Sequence, residues 1–237
     1  MIWLKMENIN VGTAIDLSGL GLDTIEETDD GFSIGAMVTL RQLELNPGLA
    51  AYTDGAVRES VRHIVGVQLR NLATVGGSIY SRFGFSDVLT MFLALNASVE
   101  LYKGGVVPLT EYAQRPYDRD ILVRVLVPKE NARFVYQSVR NSQTDFPVLT
   151  CAAAKLADGS IRAAIGARPG KAVLYTAAPE AGGDRRRICC PLCRRGKGRH
   201  QDRKQSSRRR RIPPPSGRRA DETRRLSSGR LRRTPCR

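Results

Sequence analysis

The sequence predicts an α+β fold followed by a tail without a core. Segments with helical spacing of apolar residues alternate with strand-like segments up to residue 128, and strand-like segments follow from residue 132. From residue 184 the apolar periodicity ends, and residues 184–237 contain almost no aliphatic side chains. Such a segment buries too little apolar surface to offset its chain entropy, so we expect it to be disordered.

The positive charge of the chain belongs to this tail. The 237 residues carry a formal net charge of +15, but residues 184–237 hold 21 of the 38 Lys and Arg residues and only 4 of the 23 Asp and Glu residues. The first 183 residues therefore carry a net charge of −2. A basic composition is typical of nucleic-acid-binding proteins, but here it indicates nothing about the function of the body.

Residues 1–128 form the first predicted domain. Its helix signals are clearest at residues 55–71, with Val57, Val61, Ile64 and Val65 at helical spacing, and at residues 86–95. The other predicted elements are a turn at 29–31, a strand at 32–36, a helix opening near Thr39, a hairpin at 98–109 turning at Gly104-Gly105, and a strand at 120–128.

Residues 132–183 form a second predicted domain that is rich in strands, including a pair joined by a turn at Asp158-Gly159. Cys151 is the single cysteine of the body, which argues against a disulfide scaffold and favours a reducing compartment. No stretch approaches the ~20 apolar residues of a membrane span. We therefore expect a cytoplasmic protein that does not engage a membrane.

The segment "LRNLATVGGSIYSRFGFSDVLTMFLAL" is the strongest candidate for a binding site. Gly76-Gly77 is explained most simply by a tight turn, but consecutive backbone N–H groups without side-chain bulk also form a concave nest for a phosphate. The hydroxyls of Thr74 and Ser78 would add donors. Ser86 is a plausible helix N-cap, and Asp87 has the chemistry to accept hydrogen bonds from a ribose hydroxyl. Phosphate donors with a ribose acceptor suggest a dinucleotide.

This segment resembles the second flavin motif of the FAD-binding medium subunits of molybdenum hydroxylases, the xanthine dehydrogenase and carbon monoxide dehydrogenase group. The family pattern is roughly I-R-N-x-A-T-[IV]-G-G-N followed by S-D-L, and this chain carries Arg70-Asn71, Ala73–Gly77 and Ser86-Asp87 at matching spacing. Similarity extends over about residues 4–176. The resemblance implies a two-part FAD-binding domain of the vanillyl-alcohol-oxidase-like type, then part of a sheet-plus-helix domain.

The resemblance also implies which residues hold the cofactor. The FAD pyrophosphate would lie at Thr74–Gly77, the adenosine near Asp87, and the flavin beside Ile64 and Leu122. The full implied set is Ile64, Asn71, Thr74, Val75, Gly76, Gly77, Ser78, Ser86, Asp87 and Leu122. No catalytic side chain and no metal ligand is predicted, because the redox chemistry belongs to the flavin.

The resemblance implies partners as well. In the family the flavin receives electrons from an iron–sulfur small subunit, which takes them from a molybdopterin large subunit, and passes them to NAD or another acceptor. The expected function is therefore that of the flavin subunit of an oxidoreductase resembling xanthine dehydrogenase, within a heterotrimer.

This sequence departs from the family pattern in three ways. The family has an earlier glycine-rich loop, roughly A-G-G-T-D, which we expect this chain to lack through an N-terminal truncation. Tyr136 stands where many relatives carry Lys. The similarity stops near residue 176, so the second domain is expected to be incomplete.

The tail allows several interpretations. It resembles an arm for nucleic acid, although no aromatic residue is interleaved for stacking on bases. A zinc site at Cys190 and Cys193 with His200 would lack a matching second pair of ligands. We favour translation in a different reading frame, which explains both the composition and the abrupt end of the family pattern. The alternatives for the whole chain are nucleic-acid binding through the tail and a non-functional truncated product.

Four other residues have simpler predicted roles. His63 is expected at the surface or boundary of a helix, Cys151 in the core, and Trp3 in packing. Arg140 and Asp145 are expected to form a structural ion pair or a subunit contact.

Overall fold

The computed structural model describes residues 12–117, 119–167 and 170–178. After a 3-10 helix at Ser18–Leu20, the elements in chain order are β1 Ile25–Glu27, β2 Gly31–Gly35, α1 Leu40–Leu45, α2 Pro47–Tyr52, α3 Ala56–Val61, α4 Val67–Arg70, α5 Val75–Tyr80, α6 Asp87–Ala94, β3 Ser98–Leu101, β4 Gly105–Pro108, α7 Leu109–Tyr112, β5 Leu122–Pro128, β6 Ala132–Arg140, β7 Pro147–Leu156, β8 Ile161–Gly166 and β9 Val173–Ala177. The predicted α+β class is confirmed. Trp3 and the predicted tail lie outside the described residues.

The first sheet has the strand order β1-β2-β5-β3-β4, with antiparallel neighbours throughout. Its central strand, β5, pairs Val125 with Ile34 of β2 and with Val99 of β3. The predicted hairpin at 98–109 is confirmed, and Gly105 turns it with a φ of +64°. A positive φ is the conformation that glycine adopts without steric cost.

The second sheet is an antiparallel meander in the order β6-β7-β8-β9. Gly159, with a φ of +83°, lies in the turn that joins β7 to β8, at the predicted Asp158-Gly159 position. Side chains alternate across this sheet, so that Phe134 and Ala152 are buried while Val135 on the opposite face is half exposed. One face of the sheet therefore covers the core.

Helix α6 connects the two halves of the fold. All eight of its residues are buried, and it packs on β7 and β8 as well as on α3, α5 and α7. The predicted N-cap is confirmed, since the Ser86 hydroxyl accepts a hydrogen bond from the Leu89 N–H at 3.2 Å. Thr90 of α6 shares a buried hydrogen bond of 3.1 Å with Thr150 of β7. One continuous cluster of buried side chains includes residues of both sheets.

The predicted single helix over residues 55–71 is wrong. Two short helices, α3 and α4, form there, and between them Val65 has a φ of +49° and is half exposed. The cause is tertiary, because the buried Arg70 side chain pairs with Glu44 at 2.9 Å and donates to the Ile64 carbonyl at 3.2 Å. These bonds hold the chain in a turn that a continuous helix would not allow.

Cys151 corrects another expectation. It lies in β7 as predicted, but its side chain is only half buried, on the face of the sheet that points away from Ala152 and the core. The period of two along a strand places neighbours on opposite faces, so an apolar strand does not guarantee a core position. Among the described residues no helix has the length and apolarity needed to cross a membrane.

Candidate functional site

The Gly76-Gly77 pair lies at the start of a helix and not in the expected turn. Thr74 is the N-cap of α5, and its hydroxyl accepts a hydrogen bond from the Gly77 N–H at 3.1 Å. Thr74 also pairs with Thr39 as an isolated β-bridge, which ties the start of α5 to the start of α1. A threonine followed by a short apolar pattern indicates a helix start. The two glycines, which have low helix propensity, argued against a helix at this position.

The backbone amides at this helix start are not an open row of donors. Val75 N–H donates to the Val38 carbonyl at 2.8 Å, and Gly76 N–H donates to the Ala36 carbonyl at 2.9 Å. Ser78 N–H donates to the Thr74 carbonyl at 3.1 Å. The expected nest is therefore wrong in its detail, because α5 docks its N-terminus onto the loop that follows β2.

The two glycines have different reasons for lacking a side chain. A Cβ atom added at Gly76 would lie 2.7 Å from the Ala36 carbonyl oxygen, so this glycine is required by packing. A Cβ atom at Gly77 would meet only the Thr74 hydroxyl, at 3.2 Å, and Gly77 is exposed. Gly77 is thus the position at which a ligand has access to the backbone.

A cavity of about 260 Å³ opens beside these residues, and we name it the glycine cavity. Its lining is Leu17, Ala36, Met37, Thr74, Gly76, Gly77, Tyr80, Asp120, Ile121 and Leu122. Four of the predicted cofactor residues, Thr74, Gly76, Gly77 and Leu122, therefore meet around one space.

Asp87 lies in a buried cluster that the sequence did not indicate. Its Oδ1 atom accepts hydrogen bonds from the Tyr136 hydroxyl and from Arg140 Nη2, the latter at 2.6 Å. Burial raises the pKa of Asp87, although both donors act to lower it. Burial, together with the neighbouring carboxylate, also raises the pKa of Tyr136.

Of the two predicted roles of Arg140 and Asp145, the ion pair is wrong and the subunit contact stays a prediction. Arg140 pairs with Asp87, and its Nη1 atom donates instead to the backbone carbonyl of Asp145 at 2.6 Å. A helix residue and a strand residue are thereby joined across 53 positions of sequence. Sequence spacing does not reveal such a pair.

A second cavity, of about 270 Å³, lies beside this cluster, and we name it the aromatic cavity. Its lining is Ile64, Val65, Ser78, Ser81, Phe83, Phe85, Ser86, Asp87, Val88, Arg140, Thr144, Asp145, Phe146 and Pro147. It brings together the predicted residues Ile64, Ser78, Ser86 and Asp87. Four of the cavity residues were not predicted from the sequence, namely Phe83, Phe85, Phe146 and Arg140, although the pattern Phe-Gly-Phe at 83–85 is visible there.

Two predicted cofactor residues line neither cavity. Asn71 is exposed at the end of α4, and Val75 is fully buried in the core. His63 is partly buried as expected, with a side chain that is 20% exposed, but it lies in the turn after α3 and not within a helix. Its Nε2 atom is 3.6 Å from Glu59 Oε1, and its Nδ1 atom is 3.3 Å from Gln143 Nε2.

The chain matches a family of known proteins over more than half of its length. Residues 1–130 match the family of the FAD binding domain in molybdopterin dehydrogenase. The chain is 28% identical over 160 residues to the uncharacterized protein YgfM of Escherichia coli K12, covering 68% of this chain and 60% of YgfM. It is also 33% identical over 92 residues to aldehyde oxidase 2 of Cavia porcellus, which is 35% of this chain and 7% of that protein.

Solved structures share the fold. Quinoline 2-oxidoreductase from Pseudomonas putida 86 superposes with a TM-score of 0.65 at 22% identity, over 72% of this chain and 64% of that one. Carbon monoxide dehydrogenase from Hydrogenophaga pseudoflava superposes with a TM-score of 0.58 at 23% identity, over 65% of this chain and 58% of that one. The chain thus spans about 60% of the length of YgfM, and the family match covers the helices and the first sheet that build the glycine cavity. This chain belongs to the family of FAD-binding domains of molybdopterin dehydrogenases, and FAD is its cofactor.

Proposed function

We propose that the chain holds FAD through the glycine and aromatic cavities and serves as the electron-transfer flavin unit of a molybdenum-dependent hydroxylase. The observation that carries this proposal is the convergence of Thr74, Gly76, Gly77 and Leu122 on one cavity inside the family-matched segment. The convergence brings together residues from α5, its N-cap and β5.

The residues present fit the cofactor. Each cavity, at about 260 and 270 Å³, is smaller than the roughly 300–1,000 Å³ of a typical ligand pocket. A dinucleotide has two ring systems and a central pyrophosphate, so a site divided between two cavities suits it. Residues of α5 line both cavities, with Gly77 in one and Ser78 in the other.

Thr74 and Gly77 would hold the phosphates. The hydroxyl of Thr74, which accepts the Gly77 N–H, is still able to donate its own hydrogen to an anion. The exposed backbone at Gly77 lets a phosphate oxygen approach without a Cβ atom in the way. The positive end of the α5 dipole adds a modest attraction for negative charge. The chain's part in the reaction is to bind and orient, while FAD, when bound, supplies the redox chemistry.

Asp87 would serve the cofactor from a fixed position. Arg140 and Tyr136 both bind Oδ1, so Oδ2 is the oxygen that we assign to a ribose hydroxyl. We propose Ile64 and Leu122 as contacts of the flavin, although they line different cavities. A single ring lying in one cavity would contact only one of these two side chains. The remaining predicted residues would support the site, namely Asn71, Val75, Ser78 and Ser86.

The partners are part of the proposal. The structural relative from Hydrogenophaga pseudoflava is a carbon monoxide dehydrogenase whose named cofactor contains molybdenum. We propose a molybdopterin subunit and an iron–sulfur subunit as partners in the cytoplasm, with electrons leaving the flavin for NAD or another acceptor. The organic substrate would be chosen by the molybdopterin subunit.

A titration of the full chain with FAD tests the proposal. It is done at about 1 M salt, where charges are screened beyond roughly 3 Å, so that the basic tail does not hold the phosphates. We expect saturable binding that weakens about tenfold in Thr74→Val, because one hydrogen bond to a charged group is lost. Thr74→Ser keeps the hydroxyl and should bind like the unaltered chain.

Thr110 supplies the matched control. It is exposed on α7 and lines neither cavity, so Thr110→Val should bind FAD normally. Thr74→Val also loses a helix cap worth about 1 kcal/mol, so its thermal unfolding is measured in parallel. Absence of FAD binding by the folded, unaltered chain would overturn the proposal.

A further inference from the structure

Three phenylalanine side chains form an exposed wall of the aromatic cavity. Phe83, Phe85 and Phe146 are 46%, 40% and 74% exposed. The rings of Phe83 and Phe85 are stacked, with centroids 5.0 Å apart and an angle of 10° between their planes. The Phe146 ring meets Phe85 edge-on, with centroids 4.9 Å apart. The three rings therefore act as one surface.

The loop that carries Phe83 and Phe85 is anchored on both sides. Arg82 is buried in the left-handed conformation, with a φ of +49°, and donates to the Pro116 carbonyl at 2.6 Å. Gly84, between the two rings, accepts a hydrogen bond from the Ala167 N–H at 2.5 Å. A Cβ atom at Gly84 would collide with the Gly170 carbonyl oxygen. The backbone is thus pinned while the side chains on each side of it are left exposed.

The loop that carries Phe146 is anchored as well. Arg140 donates to the Asp145 carbonyl at 2.6 Å and to the Asp87 carboxylate at 2.6 Å, so the residue before Phe146 is tied to α6. Two separate loops are therefore held by buried polar contacts in positions that bring three phenyl rings together. The fold itself does not use these rings as core.

The chemistry of the cavity favours a planar ligand with a polar edge. Exposed apolar clusters rimmed by polar groups mark binding sites, and stacked aromatic rings offer a flat face to another ring. The polar residues that line the cavity are Ser78, Ser81, Ser86, Asp87, Arg140, Thr144 and Asp145. Among them, the serine hydroxyls and the Asp87 carboxylate are able to accept hydrogen bonds from the N–H edge of a heteroaromatic ring.

We propose that the wall formed by Phe83, Phe85 and Phe146 stacks on a planar ring of FAD. This inference rests on the proposed function and extends it to residues that the quoted family pattern does not specify, since Phe83 and Phe85 lie in the spacer before Ser86-Asp87 and Phe146 lies outside the segment. Both the isoalloxazine and the adenine of FAD are flat rings with N–H groups at an edge, so they share the chemistry that the wall recognises. The experiment below separates them.

The test compares ring-deleting variants of the full chain at high salt. Phe85→Leu keeps an apolar side chain but removes the aromatic face, and we expect its Kd for FAD to rise about three- to tenfold. Phe85→Tyr keeps the ring and should restore binding. The variant with leucine at all three positions should lose more affinity and also change the vibronic structure of the flavin absorption band if the isoalloxazine is the stacked ring.

Tyr102→Leu is the matched control. Tyr102 is a 73% exposed aromatic residue in the β3–β4 hairpin and lines neither cavity, so its replacement should leave the Kd unchanged. Thermal unfolding of each variant checks that the fold is retained, as expected for exposed side chains.

Fragments of the cofactor identify the ring. If FMN loses affinity in the leucine variants while ADP does not, the isoalloxazine lies on the wall; the reverse result assigns the adenine. Unaltered binding of FAD, FMN and ADP by the triple variant would overturn this inference and leave the proposed function standing. Failure of the unaltered chain to bind FAD would overturn both.

Discussion

A buried carboxylate with two donors shows how much a single residue contributes to this fold. Asp87 is 5% exposed, and Arg140 beside it lies in β6, so their ion pair joins the helix that carries the flavin motif to the second sheet. The desolvation of two charges offsets much of their attraction, and removal of one partner is costly because the other stays buried and unpaired.

Replacement of Arg140 by Met should therefore destabilise the fold. At neutral pH we expect the free energy of unfolding to fall by about 3–5 kcal/mol, because Asp87 is left with Tyr136 as its remaining donor. Denaturant unfolding measures the loss. Arg41→Met is the control, since Arg41 pairs with Glu44 from a partly exposed position and its loss should cost no more than about 1 kcal/mol. Equal losses in the two variants would contradict the assignment of a buried pair.

The raised pKa of Asp87 predicts the sign of a pH dependence. Burial makes the folded protein hold the proton more tightly than the unfolded chain, whose Asp pKa is about 3.9. The contribution of Asp87 to the free energy of unfolding therefore decreases as the pH rises from about 3.9 through the raised folded-state pKa. Arg140→Met should extend this decrease to higher pH.

The free energy of unfolding is measured at several pH values for the unaltered chain and for Arg140→Met, and the two values are subtracted at each pH. This difference should be small in acid, where Asp87 is protonated in both, and should grow toward neutral pH. A difference that does not change with pH would mean that Asp87 does not titrate in this window.

At the scale of elements, two consecutive glycines at the start of α5 have different roles: Gly76 is needed for packing, and Gly77 leaves the backbone accessible to a ligand. Gly76→Ala forces a Cβ atom against the Ala36 carbonyl oxygen, 2.7 Å away, whereas Gly77→Ala meets only the Thr74 hydroxyl. Alanine also favours the helical conformation over glycine by about 1 kcal/mol. The two variants therefore have opposite expected effects.

We expect Gly76→Ala to lower the free energy of unfolding by about 1–3 kcal/mol, as overpacking does. Gly77→Ala should keep or slightly raise the stability but weaken FAD binding, because its methyl group occupies the accessible side of the glycine cavity. Unfolding curves and FAD titrations of both variants check this. If Gly77→Ala binds FAD like the unaltered chain, the phosphates do not approach at Gly77.

At the scale of the whole described body, two sheets share one core. Helix α6 packs on β7 and β8, and the buried cluster includes Phe92 of α6, Val125 of the first sheet and Ala152 of the second. The sequence predicts domains at residues 1–128 and 132–183, and we propose that they do not unfold independently. A shared core makes the loss of either sheet expose the other.

Phe92→Ala tests this cooperativity. A fully buried phenyl ring replaced by a methyl group should cost about 3–5 kcal/mol, and the cost should appear in both sheets. Native-state hydrogen exchange of β3 and β7 amides measures it, since the opening free energies of both strands should fall together. A decrease confined to β7 would show that the second sheet unfolds on its own.

Much of the local structure followed from the sequence. Short-range chemistry decides the Ser86 cap, the Thr39 helix start and the Gly105 and Gly159 turns, because each depends on one residue and its immediate neighbours. Long-range contacts decided the rest. The break in the predicted helix at 55–71 required Arg70 to bond Ile64 and Glu44. The helix at Gly76-Gly77 required the loop after β2 as a docking partner.

The sequence by itself determined the α+β class, the family and the segment that holds the flavin motif, because hydrophobic period, turn residues and motif spacing are properties of neighbouring positions. Only the tertiary structure decided that the predicted site residues divide between two cavities, that Asp87 is paired with Arg140, and that three phenylalanines from two loops form one wall. Those features depend on contacts between residues that are far apart in the sequence, and local patterns of residues do not specify such contacts.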